Sequence, residues 1–359
     1  MTQSLLMLQA RVLFLALVIS ATALPGRAQT KPPSGSEAAT FTNPLLPSGP
    51  DPWVIYHEGF YYYMNTTARN LTIWRTADIT ELKRAEKRVV WTPPDAGPDS
   101  HEIWAPELHF LDGKWYIYFG ADYGTNQTHR MFVLENPSPN PLEGQFTYKS
   151  ELATDTWAID PSVFENRGQL YIVWSGWPGT QNGTQNIYLS KLKNPWTMEG
   201  PRVLLSTPTY SWDTIGDLPK ETPPHVNVNE GPEILKHNGK IFLIYSASGC
   251  WTDYYALGML EASADADLMN PAAWKKHPQA VFSESPSAHA FGPGHNAFFK
   301  SPDGTQDWII YHANPETHQG CGGRRSPRAQ PFTWNPDGTP NFGSPMPIDK
   351  PLPKPSGTK

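Results

Sequence analysis

Asp51, Asp160 and Glu230 are the residues of this chain whose types and settings best suit chemistry. They stand in Gly-Pro-Asp-Pro-Trp, Ala-Ile-Asp-Pro-Ser and Val-Asn-Glu-Gly-Pro-Glu. Hydrolysing the acetal that joins two sugars takes two carboxyl groups. One is protonated and gives its proton to the leaving oxygen; the other is ionised. The ionised one activates water at a separation of roughly 6.5 to 9.5 Å, or attacks directly at about 5 to 5.5 Å. A third carboxylate nearby raises the pKa of the acid, because like charges disfavour ionisation. Singly, each residue has a plainer reading. An Asp before proline is ordinarily a turn or cap residue, as Asp112 and Asp303 illustrate in their Asp-Gly pairs. The case for chemistry rests on where a repeat puts the three.

Each acid precedes a short extended run, a Gly-bearing turn and an aromatic-rich second run. Asp51 leads into Trp-Val-Ile-Tyr, Glu-Gly and Phe-Tyr-Tyr-Tyr. Asp160 leads into Ser-Val-Phe, Asn-Arg-Gly and Leu-Tyr-Ile-Val-Trp. Glu230 leads into Glu-Ile-Leu, Asn-Gly and Ile-Phe-Leu-Ile-Tyr. These are hairpin signals. The same unit follows Ala105-Pro106 and Gly292-Pro293. Its five prolines, 52, 106, 161, 232 and 293, lie 54, 55, 71 and 61 residues apart. An all-β unit at that period is the mark of a propeller with one sheet per repeat, so five blades are expected. First strands line the central channel of a propeller. Acids more than 60 residues apart would therefore meet at one mouth of it.

Composition agrees with a closed β architecture. Of 359 residues, 38 are Pro and 28 Gly, which among so many strand-like runs reads as frequent turns. The net charge of −6, with no basic run, argues against a nucleic-acid partner. Fourteen Trp and fifteen Tyr serve mainly to pack blades, with a few free to stack on sugar faces. Residues 1–28 read as a secretory signal: Arg11 precedes an apolar run from Val12 to Ala21 that is too short for a membrane span, and cleavage fits after Ala23 or Ala28. A linker over 29–42, a propeller over 43–347 and a loosely ordered Pro- and Lys-rich tail over 348–359 complete the expected layout. The protein is expected to be secreted or periplasmic, without a membrane span.

Several other residues stay open to two readings. Trp104, two residues before Pro106, is either a buried anchor between blades or an aromatic wall of the pocket. Trp177 lies in a loop, Ser175 to Gly183, of the kind that carries specificity. Tyr210 to Asp213 would rim the pocket, with Asp213 as a loop hydrogen-bonding residue. His295 is either a metal ligand or a satisfied core histidine. Cys250 and Cys321 lie in neighbouring repeats, where bridging is plausible but undetermined. The Phe332 and Trp334 alternation reads as a last strand, one that would close the ring by pairing with the first blade.

As an ordered set, Asp-Pro at 51–52, Trp-Ala-Pro-Glu at 104–107, Ile-Asp-Pro-Ser at 159–162, Asn-Glu-Gly-Pro-Glu at 229–233 and Gly-Pro-Gly-His-Asn at 292–296 resemble glycoside hydrolase family 43. The resemblance spans roughly residues 43 to 347. It implies a five-bladed propeller that hydrolyses with inversion, with Asp51 as base, Glu230 as acid, and Asp160 orienting that acid and tuning its pKa. It also implies a calcium ion in the channel near His295, with no cofactor needed for the chemistry. Arg328 resembles an arginine that reaches the sugar, with Arg325 competing for that role. The motif combination looks most like exo-acting α-L-arabinofuranosidases, whose partners are arabinofuranosyl-containing oligo- or polysaccharides. A β-xylosidase or an endo-arabinanase on the same scaffold is the alternative, and a non-catalytic sugar-binding propeller is a more distant one. Retaining fructosidases carry Asn-Asp-Pro-Asn-Gly where this chain has Gly-Pro-Asp-Pro-Trp. A serine-hydrolase elbow and a Gly-rich phosphate loop are both missing.

Overall fold

A computed structural model describes residues 39–359. The expected leader and most of the expected linker lie outside the described residues. The chain forms five antiparallel four-stranded blades in sequence order. Blade I is Trp53–His57, Phe60–Met64, Leu71–Thr76 and Glu86–Trp91; blade II is His101–Leu111, Lys114–Asp122, Arg130–Asn136 and Thr147–Glu151. Blade III is Ala158–Asn166, Gln169–Gly176, Thr184–Asn194 and Thr197–Ser206; blade IV is Asn227–His237, Lys240–Ala247, Ala256–Ser263 and Lys275–Lys276. Blade V is Phe291–Lys300, Asp307–Asn314, Ser326–Trp334 and Pro340–Asn341. Blades III and IV also touch edge to edge, through parallel pairs Thr184 with Asn227 and Gln185 with Val228.

The first hairpins follow from their turns. Glu58-Gly59, Asp112-Gly113, Arg167-Gly168 and Asn238-Gly239 each take positive φ at both positions. That is the two-residue turn whose twist matches paired strands. In blade V the loop runs from Ser301 to Gln306, and the Asp303 carboxylate holds it by accepting from Ser301, Thr305 and Ser356. Second strands are buried on both faces, which is why they read as continuous apolar runs. Ile172 packs toward blade II and Val173 toward blade IV; Leu243 packs toward blade III and Phe242 toward blade V. The core therefore lies between blades.

One device recurs at every first strand. The residue before the repeat's proline takes a left-handed φ in all five blades: Asp51 55°, Ala105 43°, Asp160 55°, Gly231 52° and Gly292 57°. In blades II to V the pairing with the second strand slips there, forming a bulge. Bulges re-aim side chains and gather beside functional sites.

The ring closes differently from the sequence expectation. Ser326–Trp334 pairs within blade V, Asp307 opposite Phe332, and not with blade I. Blade V is complete from contiguous sequence and has no gap for a borrowed strand. Closure comes instead from the chain ends: Thr40–Phe41 pairs with Leu352–Pro353. Asn43 exchanges two hydrogen bonds with the backbone of Ala329, and Tyr61 donates to the Lys300 carbonyl at 2.8 Å. The segment read as a loose tail is docked. Lys354 Nζ sits 2.7 Å from Asp78 and 3.2 Å from Glu81 in blade I, and Ser356 bonds Asp303 and Gln306 in blade V.

Candidate active site

Asp51, Asp160 and Glu230 all line one cavity of about 800 Å³. Asp51 and Asp160 occupy equivalent left-handed positions before their prolines. Glu230 stands one residue earlier in its repeat, because Gly231 takes the left-handed place. The offset has a reason in packing: a Cβ at Gly231 would stand 3.1 Å from His295 Nδ1. Asp160 Oδ2 accepts the Gly231 N–H at 2.9 Å, so one acid anchors the backbone that carries another.

The three carboxyls differ electrostatically. Burial alone would push the Asp51 pKa up. The Arg325 guanidinium, with Nη1 2.8 Å from Asp51 Oδ1, leads a set of groups with His295, His312 and the Thr66 hydroxyl that together outweigh burial and hold the carboxyl well below the usual range. Burial and Arg325 push both histidines down, so near neutrality they are neutral and Arg325 supplies the charge. Asp51 N–H donates to His312 Nδ1 at 3.0 Å. Glu230 is raised to about 7, first by burial and then by Asp51, against the Tyr255 hydroxyl and Arg325. Asp160 is raised by burial, by Glu230 and by Asp51. Asp160 and Glu230 thus compete for protons. The Gly231 N–H favours ionised Asp160, but burial and the two neighbouring carboxyls outweigh it.

Aromatic groups wall the cavity. Trp104 lines it, its ring stacked on His129 at 4.2 Å and its indole N–H bonded to Glu102 Oε2 at 2.9 Å. Trp177 does not reach it. Its buried indole stacks on Trp157 at 4.9 Å and 9°, and Trp157 is the ring that faces the cavity. The sequence expectation for Trp177 is corrected to a backing role. Arg328 is corrected as well. Its side chain is fully buried, bonds the carbonyls of Ala288 and His289, and does not line the cavity. Arg325, just before that strand, is the arginine at the site. Asp213 behaves as expected, buried while accepting from the Thr209 and Tyr210 backbones and pairing with Lys276. The loop from residue 206 contributes Leu218 and Val226 to the wall.

Cys250 and Cys321 form a disulfide that ties two loops at the cavity rim and brings Trp251 there. Trp157, Trp251 and Arg325 lack a repeat signal, since they sit in segments between strands. Trp157 alone had a cue, three residues before Asp160.

His295 also lines the cavity, with Nδ1 3.4 Å from Asp51 Oδ1 and its backbone N–H donating to Ser246 Oγ at 2.8 Å. Calcium takes six to eight oxygen ligands. Among the described residues, no three His, Cys, Asp or Glu side chains gather at ligand spacing. Below the acids, a cavity of about 10 Å³ borders Asp51, Glu107, His295 and Asn296. Both polar ends of the Asn296 side chain are buried there without a partner. That small space suits one water. Among the described residues, the side chains around His295 supply no ready set of calcium ligands.

A five-bladed propeller with one ionised and one proton-retaining carboxyl at the mouth of its channel has the constellation of a glycosidase. The model of glycosyl hydrolases family 43 matches residues 41–340, and the chain belongs to that family. It is 38% identical over 323 residues to an extracellular exo-α-(1→5)-L-arabinofuranosidase of Streptomyces avermitilis, covering 87% of this chain and 65% of that one. It is 39% identical over 300 residues to a protein of the same description from Streptomyces chartreusis, covering 81% of this chain and 87% of that one. The crystal structure of an α-L-arabinofuranosidase from Lactobacillus brevis superposes with a TM-score of 0.80 at 38% identity, over 86% of this chain and 98% of the other. The chain spans just under two thirds of the Streptomyces avermitilis relative.

Proposed function

We propose that this protein is an exported, inverting, exo-acting α-L-arabinofuranosidase that releases arabinose from arabinan or arabinoxylan-type polysaccharides. The observation that carries the reading is the opposed state of two carboxyls in one cavity. Arg325 keeps Asp51 ionised, while burial keeps a proton on Glu230 up to about pH 7. Asp51 takes a proton from water as the water oxygen bonds to the anomeric carbon. Glu230 gives its proton to the glycosidic oxygen as the old C–O bond breaks. Asp160 holds the backbone beside Glu230 through the Gly231 N–H, and two carboxyls so placed disfavour each other's ionisation. Water is the only co-reactant, so the chemistry calls on no cofactor. Trp104 and Trp157 offer ring faces to sugar C–H groups, and the rim loops with Leu218 and Trp251 bound the cavity.

The relatives at 38–39% identity support the sugar, and the word extracellular in their names supports export, as does the disulfide. Among the described residues no helix is long and apolar enough to cross a membrane. The test is release of p-nitrophenol from the α-L-arabinofuranoside and the β-D-xylopyranoside side by side. The arabinofuranoside is expected to be preferred; preference for the xyloside would replace the substrate and keep the mechanism.

A further inference from the structure

Tyr255 lies just before the third strand of blade IV, Ala256–Ser263. Its ring is almost fully buried, yet its hydroxyl donates to Glu230 Oε1 at 2.9 Å. The hydroxyl also faces Ser246, whose Oγ accepts the His295 N–H at 2.8 Å. The phenol ring lies parallel to the His312 imidazole, 5.7 Å away at 7°, and His312 accepts the Asp51 N–H. One side chain thus touches the acid with its hydroxyl and, with its face, the histidine that holds the base. Room for the ring comes from Gly294, in Gly-Pro-Gly-His-Asn. A Cβ there would stand 2.3 Å from Tyr255 Cε1. The glycine of that motif is explained by this tyrosine.

We infer that Tyr255 is a positioning residue for the hydrolysis, aiming the Glu230 carboxyl at the leaving oxygen and stabilising the carboxylate as the proton departs. The inference rests on Glu230 being the acid. The reason is an asymmetry in hydrogen bonding. A hydroxyl donates about twice as strongly to a carboxylate as to a neutral acceptor. The bond therefore tightens as Glu230 loses its proton, which is the kind of interaction that speeds a chemical step. It also opposes the groups that favour the protonated form. Asp51 from blade I faces Glu230 with negative charge, and the Asp160 carboxyl from blade III, itself pushed up by burial, stands beside it. Arg325 from blade V faces it with positive charge, and His295 sits beyond Asp51. Tyr255 is the neutral donor among them. Without its hydroxyl, Glu230 would hold its proton to higher pH.

The test is Tyr255→Phe, with kcat and KM read across pH on a p-nitrophenyl glycoside and on an oligosaccharide of the same sugar. The alkaline limb of kcat/KM is expected to move up by about one pH unit, the worth of a hydrogen bond to a charged group. On the oligosaccharide, whose leaving group needs the proton, kcat is expected to fall about tenfold. It falls less on the nitrophenyl substrate, and KM stays within about twofold. An unmoved limb, or an equal fall on both substrates, overturns the inference. If Tyr255→Phe does not fold, Tyr255→3-fluorotyrosine keeps the ring and strengthens the donor; the limb must then move down. The profile is read on whichever glycoside the unaltered protein cleaves. A wrong sugar therefore overturns the substrate and leaves this test intact, whereas inactivity of the unaltered protein on every glycoside overturns both.

Discussion

Replacing Arg325 with leucine removes the cation that keeps Asp51 ionised. Arg325 Nη1 lies 2.8 Å from Asp51 Oδ1, and the two side chains are only 12% and 10% exposed. At an effective dielectric of about 20, that separation gives a gross attraction of about 6 kcal/mol. Desolvation of both charges offsets part of it, and breaking one partner of a buried pair costs about 3 to 5 kcal/mol. Taking about 3 kcal/mol, the loss in kcat/KM is on the order of 100-fold at acid pH, where Asp51 becomes protonated in the variant but not in the unaltered protein. The sign of the pH effect follows from the depressed pKa. The base works only when ionised, so activity is lost as pH falls through the Asp51 pKa. With Arg325 gone, burial wins and that loss begins at higher pH. The acidic limb of kcat/KM should rise by about two pH units, at about 1.4 kcal/mol per unit. Arg325→Lys keeps the charge but loses the planar fork, and should fall between the two. The assay is steady-state hydrolysis of p-nitrophenyl α-L-arabinofuranoside from acid to alkaline pH, with circular dichroism as the check on folding. A leucine variant whose acidic limb stays in place, or which matches the lysine variant, would refute the role given to Arg325.

Glu230→Gln should abolish hydrolysis of arabino-oligosaccharides while leaving the circular dichroism spectrum unchanged; turnover near that of the unaltered protein would sink its assignment as the acid. Cys250→Ser should lower stability by about 4 kcal/mol on the chain-entropy model, since the bridged residues are 71 apart, and denaturant midpoints with and without reductant measure it. A midpoint that ignores reductant would mean the bridge does not constrain the unfolded chain. Glu107 and Glu233 are buried in the channel and raised by burial, Glu233 to about 8. The folded chain therefore holds protons that the unfolded chain releases above about pH 4.5, and stability should decline from there to about pH 8 by a few kcal/mol. Glu233→Gln should flatten that decline in thermal midpoint; an equally steep decline would place the protons elsewhere.

The blade count and the meeting of the three acids were legible because a proline and a Gly-bearing turn mark each first hairpin. Those marks have local causes. A left-handed residue stands before the proline in all five blades, and in four of them a two-residue turn follows the first strand. The one-residue offset of Glu230 was visible in Asn-Glu-Gly-Pro but had no meaning until His295 was seen crowding Gly231. Residues between strands were not legible. Arg325 and Arg328 look alike in the chain. They differ only because one precedes the blade V strand at the cavity and the other lies within it, opposite Tyr311 and bonded to the His289 carbonyl. Trp177 and Trp157 likewise trade places: the loop tryptophan is buried, and the one near Asp160 is the wall. Ring closure by the two chain ends rests on pairs more than 300 residues apart, Phe41 with Leu352 among them. No local pattern encodes such a pair.

The most direct test of the central claim is the configuration of the sugar first released. Proton NMR of arabino-oligosaccharide hydrolysis should show β-L-arabinofuranose appearing before mutarotation, because water activated by Asp51 attacks the face opposite the leaving group. If the α-anomer appeared first, a covalent intermediate would have formed, and Asp51 would be a nucleophile and not a base.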